Sequence, residues 1–136
     1  MVNFWPQRPI DSVLVAPGGR LILGGPIYKL QEVQNLCKAI DSIRLFNDDC
    51  INDVQHTLKW DMADVQAAVS SLTHANYRKS FWCDTTNKVW LCADDYVVRN
   101  YDDGLGIRAP FKLYLKFAVN NKGVSLLMLS CHDSDD

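Results

Sequence analysis

Phe111-Lys-Leu-Tyr-Leu-Lys-Phe-Ala-Val119 alternates apolar and polar side chains, and Asn120-Asn-Lys-Gly123 separates it from a second apolar run, Val124-Ser-Leu-Leu-Met-Leu-Ser-Cys-His132. Such alternation marks a half-buried strand, because successive side chains of an extended chain point to opposite faces. Phe111, Leu113, Leu115, Phe117 and Val119 therefore belong to a core face, and Lys112, Tyr114 and Lys116 to the other. Gly123 suits the left-handed position of a three-residue hairpin. Pairing Asn120 with Val124 then sets Lys112 opposite His132 and Tyr114 opposite Ser130. On that register Ser125, Leu127, Leu129 and Cys131 join the core face, and His132 shares the face of Tyr114. A two-residue Asn-Lys turn would instead put His132 with Phe111 on the core side; Gly123 favours the first arrangement.

Further upstream, Tyr77 to Cys83 and Lys88 to Val98 are rich in aromatic and branched residues and read as strands flanking the turn Asp84-Thr-Thr-Asn87. Asn100 to Gly106 reads as a polar loop, and without a following Lys-Ser/Thr it is no phosphate-binding P-loop. Before Thr73 the period is helical. Leu30, Val33, Cys37 and Ile40 share one face, Ile51, Val54 and Leu58 another, and Val65, Ala68, Val69 and Leu72 a third. Asp61 is an N-cap for that third helix, with Trp60 placed to staple onto Val65. The expected fold class is α+β, with N-terminal helices packed on one face of a C-terminal antiparallel sheet. Residues 1–27 form an arm, with a possible hairpin of Ser12 to Ala16 and Arg20 to Leu23 around Pro17-Gly18-Gly19. Residues 28–136 form the single domain.

The chain has 136 residues and a net charge of −2, which argues against coating a nucleic acid by bulk charge. The charge is uneven, however. Residues 76–123 carry eight basic side chains against five acids, a net of +3, between two acidic flanks. A polyanion site therefore belongs in the second half. Five cysteines, an odd number without close pairs, read as free buried thiols in a reducing cytoplasm. Convergence of Cys83, Cys92, Cys131 and His132 on a metal is the less favoured alternative. No apolar run reaches the ~18–20 residues of a membrane span, and no signal peptide is read.

The strand face collects two lysines, a tyrosine and a histidine, the groups that RNA cleavage without a metal requires. A base removes the 2′-hydroxyl proton, cations neutralise the charge growing on phosphorus, and an acid protonates the leaving 5′-oxygen. The bland alternative is a solvated face. His56 and His74 lack partner motifs. Arg99 and Arg108 flank the polar loop and are placed either to steer RNA or simply to be solvated. Trp90 is expected in the core, and Trp82 is left between the core and a stacking role. Cys131 and His132, adjacent in a strand, point to opposite faces and so make no nucleophile pair.

From Tyr28 to His132 six segments in order resemble the MqsR family of toxins of type II toxin–antitoxin systems, within the RelE-like superfamily. Tyr28-Lys-Leu-Gln-Glu-Val-Gln-Asn-Leu36 resembles the family's opening helix, and Leu58-Lys-Trp-Asp-Met62 with Val65 to Leu72 its Leu-Gly-Leu-Asp segment and next helix. Tyr77-Arg-Lys-Ser80 resembles its Phe-Tyr-Lys-Ser motif, and Val89-Trp90 with Asp95-Tyr96 its Trp-Gln-Asp-Val-Tyr motif. Leu113-Tyr-Leu-Lys-Phe117 resembles its Tyr-Leu-Lys strand, and Leu129-Ser-Cys-His132 its closing Ser-Phe-Lys.

The resemblance implies a cytoplasmic, ribosome-independent mRNA endoribonuclease (mRNA interferase), a hydrolase held inactive by a cognate antitoxin. Carried over by position, it implies Lys79 and Tyr114 as catalytic residues. His132 joins them as acid or base, as other RelE-like toxins use a histidine near the C-terminus, and the basic side chains Arg78, Arg99, Lys112 and Lys116 are the expected substrate-binding residues. No metal or other cofactor, no membrane and no DNA binding by the chain alone are expected. Leu91 stands where the family has glutamine, and His132 where it has lysine. The first departure supports an alternative, a catalytically inactive relative that binds protein or RNA. A third reading is an unrelated interaction module docking through its N-terminal hairpin.

Overall fold

The computed structural model describes residues 21–84 and 90–134, and shows an α+β fold. Its elements are β1 (Leu21–Ile22), α1 (Leu30–Leu36), β2 (Ile43–Leu45), α2 (Asp48–Asn52), α3 (Met62–Ser70), β3 (Tyr77–Asp84), β4 (Trp90–Tyr101), β5 (Phe111–Val119) and β6 (Leu126–Asp133). The hairpin expected at Ser12 to Ala16 and the turn at Thr85 to Asn87 lie outside the described residues. No described helix is long and apolar enough to cross a membrane.

Local chemistry accounts for the helix ends. The Asn47 side chain accepts the Cys50 N–H and caps α2, which runs on into a π-helical turn over Asp53–Thr57. Asp61 and Asp64 cap each other's backbone in a reciprocal box at the start of α3. Val65, Ala68, Val69 and Leu72 are buried. In α1, Leu30, Val33 and the following Cys37 are buried, but Ile40 is exposed because the helix has ended at Leu36. The Ser42 hydroxyl donates to the carbonyls of Leu36 or Ala39, whose oxygens the helix end leaves open.

One six-stranded sheet, in the order β1-β3-β4-β5-β6-β2, organises the chain. It is mixed, which corrects the expected antiparallel sheet: β2 runs parallel to β6, with Ile43 opposite Leu126 and Leu45 opposite Met128. Three residues are too few to display alternation, and this strand follows directly on a run with helical spacing. At the other edge, Leu21 and Ile22 pair antiparallel with Phe81 and Ser80.

The β5–β6 hairpin departs from expectation twice, and the departures compensate. Asn120 pairs with Ser125 rather than Val124: its N–H donates to the Ser125 carbonyl and its Oδ1 accepts the Val124 and Ser125 N–H groups, with Gly123 at φ +71°. Phe117 thus faces Met128 and Val119 faces Leu126. Leu126 and Met128 extend the core face in place of Ser125 and Leu127. A bulge at Leu129 then shifts the register again, so that Leu115 meets Cys131 and Tyr114 meets His132. His132 does share the face of Tyr114, directly opposite it.

Leu113, Leu115 and Phe117 are fully buried, and Tyr96 stacks on Phe117 with ring centroids 5.4 Å apart. Asp94, also fully buried, ties the chain ahead of α1 to this sheet. Its carboxylate accepts the N–H groups of Ile27 and Tyr28, both at 3.0 Å, and the Ser80 hydroxyl at 2.5 Å. Burial pushes the Asp94 carboxyl above the usual carboxylate range, against these three donors, which favour its charge. The approach is close: a Cβ on Gly25 would stand 2.1 Å from the Ser80 hydroxyl oxygen.

The loop after β4 is clamped as well. Asp103 accepts from the Trp60 indole at 2.9 Å and from the Arg108 guanidinium, which also donates to the Leu58 carbonyl at 2.5 Å. Burial works against the Asp103 charge, but Trp60, the Leu105 N–H and Arg108 hold its carboxyl below the usual range. A carboxyl whose folded pKa is depressed stabilises the fold above its unfolded pKa, about 3.9, and loses that contribution as pH falls through the lower folded value. Acid titration below about pH 4 should therefore release this loop, with a change in Trp60 fluorescence. Asp103→Asn should abolish the transition, and its persistence in that variant would show that another group is responsible.

Candidate functional site

Alternation along β3, β4, β5 and β6 places the chemistry on the sheet face opposite Leu113, Leu115 and Phe117, in successive cross-strand rows. One row is Val97, Tyr114 and His132, and the next is Lys79, Asp95, Lys116 and Ser130. Beyond it come Phe81, Ala93, Ala118 and Leu127. The Tyr114 and His132 rings lie 5.2 Å apart, both half-buried. His132 Nδ1 is 2.8 Å from the Asp133 carbonyl oxygen. A carbonyl only accepts, so Nδ1 carries the proton, and in the neutral ring Nε2 presents its lone pair.

On the same face a pocket of about 270 Å³ is lined by residues that include Asn76, Arg78, Arg99, Lys112 and Val97, the cross-strand partner of Tyr114; neither Tyr114 nor His132 lines it. Three of the four expected substrate-binding cations thus converge there. Arg78 reaches this face through an irregularity in β3 between Tyr77 and Lys79. Arg99 reaches it just before the β4 bulge, where Asn100 takes φ +58°.

Lys79 and Lys116 belong to a second group. Both ammonium groups lie over the Phe81 ring, 5.8 and 5.2 Å from its centroid. Lys79 is three strands from His132, roughly 14 Å at the usual inter-strand spacing, so the three expected catalytic side chains do not form one tight cluster. Arg108 is occupied in the Asp103 clamp.

Asp95 links the two groups; the sequence places it in the Asp95-Tyr96 segment of the resemblance but assigns it no role at the site. Fully buried, it accepts the Lys79 N–H at 3.0 Å and the Tyr114 hydroxyl at 2.8 Å. The available signal was Asp94-Asp95 in the middle of an otherwise apolar strand, since buried carboxylates occur only where donors meet them. Alternation sends Asp94 to one face and Asp95 to the other. Burial raises the Tyr114 pKa, the hydrogen bond to Asp95 and its charge raise it further, and the Arg78 charge opposes them. Tyr114 therefore keeps its proton at neutral pH and orients without acting as a base.

The remaining candidates fall away from the face. Trp82 is fully buried with Ile22 and Cys92 and has no surface on which a base could stack. The Trp90 side chain lies outside the described residues. All five cysteines are free and buried, and burial pushes the Cys37, Cys50 and Cys92 thiols up to about 12. His56 and His74 are exposed on the helical half. Among the described residues no three His, Cys, Asp or Glu side chains cluster in a way that would hold a metal.

Neither a protein-family model nor a curated protein matches this chain.

Proposed function

We propose that the chain is an endoribonuclease of the MqsR-like, RelE-like type, with the helices covering the face of Leu113, Leu115 and Phe117. The observation that carries the reading is one sheet face that holds the Tyr114–His132 pair and, across Val97 and Lys112 from Tyr114, a pocket lined by Arg78, Arg99 and Lys112. In the proposed reaction His132 Nε2 takes the proton of a ribose 2′-hydroxyl. The 2′-oxygen bonds to the adjacent phosphorus and the P–O5′ bond breaks, leaving a 2′,3′-cyclic phosphate and a 5′-hydroxyl. Arginine does not give up its proton, so Lys112 is the pocket cation that protonates the leaving oxygen, while Arg78 and Arg99 stabilise the phosphorane charge. Tyr114, held by Asp95, orients the imidazole and the phosphate. Lys79 and Lys116 bind neighbouring phosphates. The resemblance adds mRNA as substrate and a cognate antitoxin as partner.

One observation favours the inactive, binding-only alternative. Leu91, at the family's glutamine position, is buried opposite Cys83, roughly 20 Å along β4 from the row of Tyr114. It supplies no hydrogen bond to the site. Expression in bacteria separates the two: the wild type should stop growth and fragment transcripts, and His132→Ala should do neither. Equal harmlessness of both would leave the binding-only reading.

Affinity should depend on salt in proportion to the few cations on this face. Five phosphate contacts on single-stranded RNA give a log–log slope of about −3.5. Titration of an uncleavable 2′-O-methyl strand from about 50 to 200 mM salt measures it. A slope steeper than about −6 would require more cations than this face holds.

A further inference from the structure

Phe81 occupies the site face beyond the catalytic row, half-buried, with the ammonium groups of Lys79 and Lys116 over its ring. On this face its cross-strand neighbours are Leu21 of the edge strand β1 and Ala93 of β4, the latter a side chain too small to overtop an aromatic ring. An ammonium over a ring near solvent is held weakly, whereas a stacked nucleobase is held more strongly and the displaced ammonium then meets a phosphate. From Lys112 in the pocket to Ala118, level with Phe81 but two strands across, β5 runs six residues, roughly 20 Å. No single nucleotide spans that distance, but a chain of them does.

We propose that Phe81 is the stacking platform for one nucleobase of single-stranded RNA, with Lys79 and Lys116 on the phosphates flanking that base. The inference rests on the sheet face being an RNA site and adds the form of the substrate: a strand of several nucleotides, unpaired at the platform. A duplex is excluded because its bases are already stacked on one another. Charge complementarity supports this occupant, since the pocket cations Arg78, Arg99 and Lys112 and the two lysines over Phe81 lie on the same sheet face.

The test is fluorescence anisotropy with three uncleavable 2′-O-methyl probes: a single-stranded octamer, the same octamer abasic throughout, and the octamer in duplex form. The wild type should bind the single strand best. Phe81→Leu should weaken that binding about 5- to 100-fold, the usual loss for one stacking aromatic. It should leave the abasic strand, which has the same charge, unchanged. Phe81→Tyr should retain the wild-type affinity, and thermal melts confirm that each variant is folded. Normal binding by folded Phe81→Leu, or a duplex bound as tightly as the single strand, would overturn the platform while leaving the RNA site standing. If the wild type binds no probe, the RNA reading itself fails and the platform with it.

Discussion

His132→Ala is expected to slow RNA cleavage about 10²- to 10⁴-fold, the loss that follows removal of one general base. The argument rests on which ring nitrogen is free. Nδ1 is committed to the Asp133 carbonyl, so Nε2 is the atom that accepts the substrate proton. Because the imidazole acts on the transition state, the loss should fall on kcat with KM changed little. Tyr114→Phe offers the contrasting case. It keeps the ring against His132 but releases Asp95, so a smaller fall in rate is expected. Single-turnover cleavage of a short RNA measures both. A His132→Ala enzyme with unchanged kcat would remove the imidazole from the mechanism.

Asp94→Ala and Asp95→Ala should separate stability from activity at two consecutive positions. Asp94→Ala strands the N–H groups of Ile27 and Tyr28 and the Ser80 hydroxyl. Each buried donor without a partner costs roughly 1–3 kcal/mol, against a total of about 5–15 kcal/mol for a domain of this kind. Much of the molecule's stability should go, and the segment leading into α1 should detach from the sheet. Asp95→Ala instead frees the Lys79 N–H and the Tyr114 hydroxyl, both at the half-exposed site face. It should unfold at a higher denaturant concentration than Asp94→Ala yet cleave RNA more slowly than the wild type. Urea melts paired with rate measurements check this. The reverse order, an inert Asp94→Ala and an unstable but active Asp95→Ala, would contradict the division between the two faces.

The parts of the fold that were legible are those with local signals. The β5 alternation, the Asp61 cap and the α3 stripe need only their own neighbours in the chain. The edge strand β2 needed β6, more than 80 residues away, and three residues carry no period of their own. The hairpin register depended on the Asn120 side chain replacing a backbone partner and on a bulge at Leu129, neither of which spacing reveals. At the site, Tyr114 and His132 were legible as a shared face, because two register errors cancelled. The pocket of Arg78, Arg99 and Lys112 depends on irregularities in β3 and β4 that re-aim side chains. The separation of Lys79 from His132 follows from strand order, which an antiparallel reading of the sequence alone does not provide.

The most direct measurement is the chemistry of the cut ends. Purified chain incubated with single-stranded RNA in excess EDTA should yield 2′,3′-cyclic phosphate and 5′-hydroxyl termini, with His132→Ala leaving the RNA intact over the same time. Intact RNA with the wild type, inhibition by EDTA, or 3′-hydroxyl termini would contradict 2′-hydroxyl attack at the Tyr114–His132 face.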